Sequence, residues 1–121
     1  MSQLKGRCIL IVDDEELLVE MTSMLLEQNG AQVLTACSGK AGVEVFRANQ
    51  DKIDSLLVDF SMSDLNGYEV FKEVKAIKPG LKVVMASGLR SIPEVEQLRK
   101  SGEIGFISKP FFESDLLRAL A

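Results

Sequence analysis

The sequence predicts an α/β protein built on a parallel sheet. Five short apolar runs alternate along the chain with five amphipathic stretches. Several runs are rich in Val, Ile and Leu at every position, which is typical of strands covered by helices on both faces. Strands that alternate with helices form right-handed βαβ units and therefore pair in parallel. The 121 residues are enough for a single domain, 1–121, with a substantial core.

The predicted strands coincide with the apolar runs. They cover Arg7–Val12, Gln32–Ala36, Ser55–Val58, Lys82–Ala86 and Ile104–Ile107. Parallel sheets of this kind bind ligands beyond the carboxyl ends of the strands, near the point where the strand order reverses. For the order 2-1-3-4-5, that point lies between the first and third strands.

The first predicted helix has a clear apolar face and a clear end. Leu17, Met21, Met24 and Leu25 share one face, which we expect to be buried. Gly30 lies just past the predicted end, where a glycine commonly terminates a helix.

The other helices are predicted from their caps. Ser38 can cap the second helix, and Gly67 leads into the third. Ser91 and Glu94 have the spacing of a capping box at the start of the fourth helix. The fifth helix is predicted over Glu113–Leu120.

Composition narrows the classes of function. The net charge of -4, without any Lys/Arg-rich tract, argues against direct binding of nucleic acid or an anionic membrane. No apolar run approaches the ~18 residues of a membrane span, and no signal peptide is apparent. Cys8 and Cys37 lie in apolar surroundings, so we expect buried, reduced thiols in a cytoplasmic protein. A redox pair between neighbouring strands is the alternative.

Acidic residues close two of the predicted strands. Asp13 and Asp14 follow the first strand, and Asp59 follows the third. If these strands are neighbours, three carboxylates converge, and such a cluster repels itself unless a cation neutralises it. An oxygen-only cluster suits Mg²⁺ or Mn²⁺. The alternative is that Asp13 and Asp14 only cap the first helix and that Asp59 only caps a loop.

The acids belong to a larger set of residues that identifies a family. The set also contains the Asn66-Gly67 turn, Ser87-Gly88 and Lys109-Pro110-Phe111, each placed after a predicted strand. With them the chain resembles the receiver domains of two-component response regulators over essentially its whole length. The resemblance implies a flavodoxin-like (βα)5 three-layer sandwich with strand order 2-1-3-4-5. The segment 105–111 resembles the corresponding segment of receivers that are fused to hybrid sensor histidine kinases.

The resemblance also implies the roles of the acidic residues. Asp59 would be the phosphoacceptor, which receives a phosphoryl group from a phosphohistidine. Asp14 and Asp59 would bind Mg²⁺ or Mn²⁺ directly, Asp13 would act through water, and the backbone carbonyl of Ser61 would complete the set. No organic cofactor is expected.

Three further residues would complete the site and its switch. Lys109 would reach Asp59, through a Lys109-Pro110 bond that is often cis in the family. The hydroxyl of Ser87 would donate to a phosphoryl oxygen and move inward. Phe106 would then rotate and repack the face formed by the fourth helix, fifth strand and fifth helix; a plain core aromatic is the alternative. Because Phe has no hydroxyl, we expect its ring to turn inward at rest.

The chain departs from the family pattern in the loop that follows the expected phosphoacceptor Asp59, the acceptor loop. Ser63 stands where family members usually carry Pro, so the loop loses a fixed φ and gains mobility. In the family, the positions two after Asp59 and two after Ser87 commonly tune the hydrolysis of the phosphoryl group. Here they are Ser61 and Leu89, and neither offers an acid or amide to orient water, so we expect slow autodephosphorylation.

The expected function is a signalling module that turns over no external metabolite. Its partners would be a sensor histidine kinase or phosphotransfer domain and a downstream effector, and it would be a monomer or a phosphorylation-dependent dimer. The main alternative is a degenerate receiver that serves only as a protein-interaction module. A flavodoxin-type redox carrier is disfavoured because the acids at 13–16 would repel its phosphate. A haloacid-dehalogenase-type phosphatase would need an acid at Ser61.

Overall fold

A computed structural model describes residues 3–88 and 92–121 of the chain. Strands and helices alternate within these ranges, as the apolar pattern predicts. In chain order they are β1 (Cys8–Val12), α1 (Glu16–Gln28), β2 (Gln32–Ala36), α2 (Gly39–Ala48), β3 (Ser55–Asp59), α3 (Gly67–Ile77), β4 (Lys82–Ser87), α4 (Pro93–Ser101), β5 (Gly105–Ser108) and α5 (Glu113–Leu120). None of the helices in the described ranges is long and apolar enough to span a membrane.

The five strands form one parallel sheet, and the predicted order is confirmed. The sheet runs β2-β1-β3-β4-β5, so β1 and β3 are neighbours at the point where the order reverses. Val12, the last residue of β1, lies opposite Val58 of β3 and Ala36 of β2. The carboxyl ends of the strands therefore meet at one edge of the sheet, directly below the acidic residues.

Alternating side chains of the central strands point into two separate cores. In β1, Leu10 and Val12 pack with residues of α2, α3 and α4, whereas Ile9 and Ile11 pack with residues of α1 and α5. The fold is therefore the predicted three-layer α/β/α sandwich. Burial of both faces explains why the strands are apolar at every position.

Local capping fixes several helix starts. The Ser38 hydroxyl accepts a hydrogen bond from the Ala41 N–H at 3.1 Å, as predicted. Asn66 and Glu69 form a capping box at the start of α3. Leu89 and Ser91, to which the sequence assigns a hydrolysis-tuning position and a helix cap, lie outside the described residues. Helix α4 begins at Pro93, directly after Ile92.

The predicted inner face of α1 is wrong. Leu17 is 70% exposed, Met21 56% and Met24 59%. The buried residues are instead Val19, Thr22 and Leu26, and Leu25 is partly buried. Apolar residues occur on two faces of this helix, so periodicity alone does not say which of them meets the sheet. The outcome is an exposed apolar stripe on α1, formed by Leu17, Met21 and Met24.

The predicted burial of Cys37 is also wrong. Both thiols are free, but Cys8 is buried and Cys37 is exposed. Cys8 lies opposite Gln32, and Cys37 comes five residues later, beyond the other end of β2. At about 3.3 Å per residue along the strand, the Cα atoms of the two cysteines lie at least ~16 Å apart, too far for a disulfide. The redox-pair alternative is therefore excluded within one molecule.

Candidate functional site

The backbone of the sheet places the three acids beside one another. Asp59 is the last residue of β3, and Asp13 and Asp14 directly follow β1. Asp13 continues the ladder, since its N–H donates to the Ala36 carbonyl at 3.2 Å. Because Val12 is paired with Val58, the next residues of the two strands, Asp13 and Asp59, reach the same level at the end of the sheet.

The three carboxylates form one cluster, as the sequence predicts. One oxygen from each of Asp13, Asp14 and Asp59 lies within 4.8 Å of the other two. Asp13 is 6% exposed and Asp59 is 5% exposed, whereas Asp14 is open to solvent. The cluster thus combines two buried acids with one accessible acid, and an ion can approach it from the side of Asp14.

Lys109 makes ion pairs with both buried acids. Its Nζ donates to Asp13 Oδ2 at 2.9 Å and lies 3.1 Å from Asp59 Oδ1. It also lies 3.5 Å from Glu15 Oε1 at the surface. The side chain of Lys109 is 15% exposed, so its contacts with the two buried acids are only weakly screened by water. The structure therefore brings Lys109 to Asp59, as expected.

Burial and charge perturb the pKa values of the site. Burial, reinforced by the charge of Asp13, raises the pKa of Asp59 from 3.8 to about 6, against the opposing effect of Lys109. Burial alone would lower the pKa of Lys109, but the hydrogen bonds to Asp13 and Asp59 outweigh it, and its pKa is raised. Lys109 is therefore a permanent cation, but a single lysine does not fully neutralise the cluster.

Both oxygens of Asp13 are already engaged. Oδ1 accepts the Glu15 N–H at 3.0 Å, and Oδ2 accepts from Lys109. Asp13 thus orders the turn that enters α1, which corresponds in part to the capping alternative. Glu15, rather than Asp13 or Asp14, is the residue that directly precedes the helix.

The remaining predicted residues surround the cluster. Ser87 ends β4 and is 1% exposed, and its carbonyl accepts the Lys109 N–H at 2.9 Å. The Lys109-Pro110 bond is cis. Ser61 lies in the loop that follows β3. Phe106 of β5 is half-buried.

Sequence reasoning missed two residues near these groups. The guanidinium of Arg99 lies over the Phe106 ring, 5.3 Å from its centroid. Asp64, in the loop after β3, accepts hydrogen bonds from the start of α2. Nothing in the local sequence distinguishes either residue from a solvated surface charge, because both contacts join segments that are distant in the chain or lie in different elements.

Comparison with known proteins agrees with this geometry. The family model described as the response regulator receiver domain matches residues 9–121. The chemotaxis protein CheY of Thermotoga maritima is 31% identical over 95% of this chain and 95% of its own length. The transcriptional regulatory protein GlrR of Escherichia coli is 30% identical over 93% of this chain. The chain spans only 25% of the length of GlrR.

A solved structure shows the same fold. A response regulator receiver domain protein from Clostridium thermocellum superposes with a TM-score of 0.88 at 32% identity, covering 94% of this chain and 90% of the other. Family model, relatives and structure agree with the acidic cluster at the end of β1 and β3. The chain therefore belongs to the response regulator receiver domains, the phosphoacceptor signalling domains of two-component systems.

Proposed function

We propose that Asp59 is the phosphoacceptor of this domain and that the reaction requires Mg²⁺, with Mn²⁺ as a substitute. The observation that carries the proposal is the convergence of Asp13, Asp14 and Asp59 on one point, with Lys109 paired to two of them. A degenerate receiver would lack one of these groups. The domain modifies only itself, and we infer that it turns over no external metabolite.

The donor set fits a small, hard cation. Three carboxylates and one lysine leave two negative charges when all are ionised, which matches a divalent ion. Asp14 and Asp59 would hold the ion directly, with the backbone carbonyl of Ser61. Asp13 would act through water, which leaves in place the hydrogen bonds that its two oxygens accept. When bound, the ion neutralises negative charge on the acceptor and the incoming phosphoryl group.

We infer that the transfer step uses Asp59, Lys109 and Ser87. A carboxylate oxygen of Asp59 attacks the phosphorus of a phosphohistidine; the new O–P bond forms as the P–N bond breaks, and the bonding pair leaves with the imidazole nitrogen. The Lys109 ammonium then balances charge on the phosphoryl oxygens, and the Ser87 hydroxyl donates a hydrogen bond to one of them. The ion pair of Lys109 with Asp59, and the place of Ser87 at the end of the strand beside β3, support these roles.

The exposed apolar stripe on α1 supports a docking surface for the phosphohistidine partner. A groove lined by Met21, Lys109 and Pro110 joins the stripe to the acceptor site. Leu17, Met21 and Met24 recur at the spacing of one helix face, which suits packing against a helix of the partner. We therefore infer that a sensor histidine kinase or phosphotransfer domain presents its histidine across this stripe.

The opposite side of the site supports the output. Ser87 and Phe106 lie on the neighbouring strands β4 and β5, so a movement of Ser87 can change the packing of Phe106. We infer that the face of α4, β5 and α5 reports this change to a downstream effector or to a second copy in a phosphorylation-dependent dimer. The whole of residues 1–121 acts as one receiver domain. The net charge of -4 supports partners other than nucleic acid or membrane lipid, and the free thiols support a cytoplasmic location.

One experiment tests the acceptor and the cation together. Wild type and Asp59→Asn are incubated with acetyl phosphate or beryllofluoride, with and without Mg²⁺, and examined by intact mass and by NMR. Asp51→Asn, at an exposed acid, is the matched control. We expect modification of wild type and the control only with Mg²⁺, and none of Asp59→Asn. Equal masses in all samples, with unchanged spectra on beryllofluoride, would favour the degenerate receiver.

A further inference from the structure

The carboxylate of Asp64 joins the loop after β3 to the start of α2. Its Oδ1 accepts the Gly39 N–H at 2.9 Å and its Oδ2 accepts the Lys40 N–H at 2.9 Å. Its Oδ1 also accepts the Leu65 N–H at 2.7 Å within its own loop. The first N–H groups of a helix have no partner inside the helix, so an anion at this position is favourable. These bonds, above all that from Lys40, lower the pKa of Asp64 to about 2.

The loop and the helix also meet by close packing. A Cβ atom on Gly39 would lie 2.7 Å from the Leu65 Cβ and 3.2 Å from Asp64 Oδ1. Real Cβ atoms do not approach side-chain carbons this closely, so a residue larger than glycine would push the loop away. The contact between residues 64–65 and the start of α2 is thus specified by two independent features, a set of hydrogen bonds and a missing side chain.

The rest of the acceptor loop is held by backbone hydrogen bonds at its two ends and by Met62, which packs against the core between them. At the start, the Phe60 N–H donates to the Ala86 carbonyl at 2.9 Å, and the Phe60 carbonyl accepts the Gly67 N–H at 2.8 Å. At the end, Asn66 belongs to the capping box of α3. Residues 61–63 lie between these points, and Ser63 lacks the fixed φ of a proline.

We propose that Asp64 is a positioning residue for the cation site. By holding residues 61–65 against α2, it supplies the restraint that a proline at position 63 would give, and it keeps the Ser61 backbone where its carbonyl can serve as a ligand. The inference rests on the proposed use of Ser61 in cation binding. The competing explanation is that Asp64 merely stabilises α2 as a helix cap.

Three variants separate these explanations. Asp64→Ala removes the tether, the set of bonds from Asp64 to α2. Ser38→Ala removes a cap from the same helix, the bond to Ala41, and leaves the loop untouched. Ser63→Pro in the Asp64→Ala background restores a backbone restraint without restoring the cap. Asp64→Asn, which keeps one acceptor oxygen, is the substitute if Asp64→Ala fails to fold.

The two readouts are the Mg²⁺ dissociation constant from calorimetry and amide hydrogen exchange of residues 61–65 without metal. Asp64→Ala should weaken Mg²⁺ binding by about tenfold and speed exchange in the loop. Ser38→Ala should change neither, and Ser63→Pro should recover most of the affinity.

Unchanged affinity and exchange in a folded Asp64→Ala protein, or an equal loss in Ser38→Ala, would overturn the proposal. Failure of wild type to bind Mg²⁺ would instead refute the proposed function. In that case loop exchange alone would decide whether the tether exists.

Discussion

Lys109 Nζ lies 2.9 Å from Asp13 Oδ2 and 3.1 Å from Asp59 Oδ1, so one ammonium is shared between the proposed acceptor and a neighbouring acid. At rest, Lys109 is the cation that keeps the two buried carboxylates together. Its position directly after β5 makes this possible, because the lysine reaches over β4 to the acids at the carboxyl ends of β3 and β1.

Replacing Lys109 with Ala should destabilise the metal-free protein by about 3 kcal/mol, since it leaves buried carboxylates without their cation. The same loss of positive charge should tighten Mg²⁺ binding, so Mg²⁺ should raise the melting temperature of the variant more than that of wild type. Thermal unfolding with and without Mg²⁺ measures both effects. Lys100→Ala, at an exposed residue of α4, is the control, and an equal Mg²⁺ effect in Lys109→Ala and wild type would contradict the prediction.

The raised pKa of Asp59 predicts an unusual pH dependence of the free energy of unfolding. Between pH 3.8 and about 6, the folded protein keeps a proton that the unfolded chain has lost. Stability without metal should therefore fall as the pH rises through this window, and Asp59 accounts for about 2 kcal/mol after allowance for solvent screening. Urea titrations at several pH values measure the slope relative to Asp59→Asn, in which this contribution should vanish.

Saturating Mg²⁺ provides a second check on the same group. The ion favours ionised Asp59, so it should oppose the decline in stability toward neutral pH. Parallel pH profiles of wild type and Asp59→Asn without metal would contradict the prediction. They would mean that the pKa of Asp59 is near its ordinary value and that burial and the charge of Asp13 do not raise it.

Replacing Gly67 is predicted to strain the protein, because the backbone of the acceptor loop approaches it closely. A Cβ atom there would lie 2.8 Å from the Phe60 Cα and 2.9 Å from the Asp59 carbonyl oxygen. Gly67→Ala should cost about 1–3 kcal/mol and slow phosphorylation, because the strain is relieved by moving the backbone of the proposed acceptor. Gly80→Ala, where a Cβ atom meets nothing within 4 Å, should be neutral or slightly stabilising. Chemical denaturation of both variants tests the contrast, and similar losses would refute it.

Arg99 is predicted to restrain Phe106. A cation–π contact at an exposed site is worth about 0.5–1 kcal/mol. If activation moves the Phe106 ring away from Arg99, then Arg99→Ala should increase the affinity for beryllofluoride by about 2- to 5-fold. Fluorine NMR titration measures this affinity, with Arg47→Ala, which removes an exposed ion pair to Glu73, as the control. An unchanged affinity would show that the ring keeps its contact or does not move.

Much of the fold and the centre of the site could be predicted from the sequence because they depend on local patterns. Apolar runs mark the buried strands, and Asp13 and Asp59 are conspicuous as charges at the ends of such runs. Parallel pairing then brings these ends together. The bounds of β2 and α5 are as predicted, and β3 and β4 each extend one residue further than predicted.

The remainder depends on packing that the sequence does not display. On α1, two apolar faces compete, and only the fit of Val19 and Leu26 to the sheet decides which is buried. Cys37 directly follows Ala36, the buried last residue of β2, and composition does not show that exposure begins at the next residue. The role of Asp64 needs the distance between a loop and a helix about 25 residues earlier, and no local pattern reports that distance.

The last rung of the ladder between β4 and β5 has a mechanical consequence. The Lys109 N–H donates to the Ser87 carbonyl, so a main-chain hydrogen bond joins the two residues proposed to contact the phosphoryl group. Moreover, β5 is an edge strand and has a single neighbour in the sheet. A displacement of Ser87 can therefore be transmitted to β5 without breaking any pairing among the other four strands, so this edge strand can shift while the rest of the sheet stays fixed.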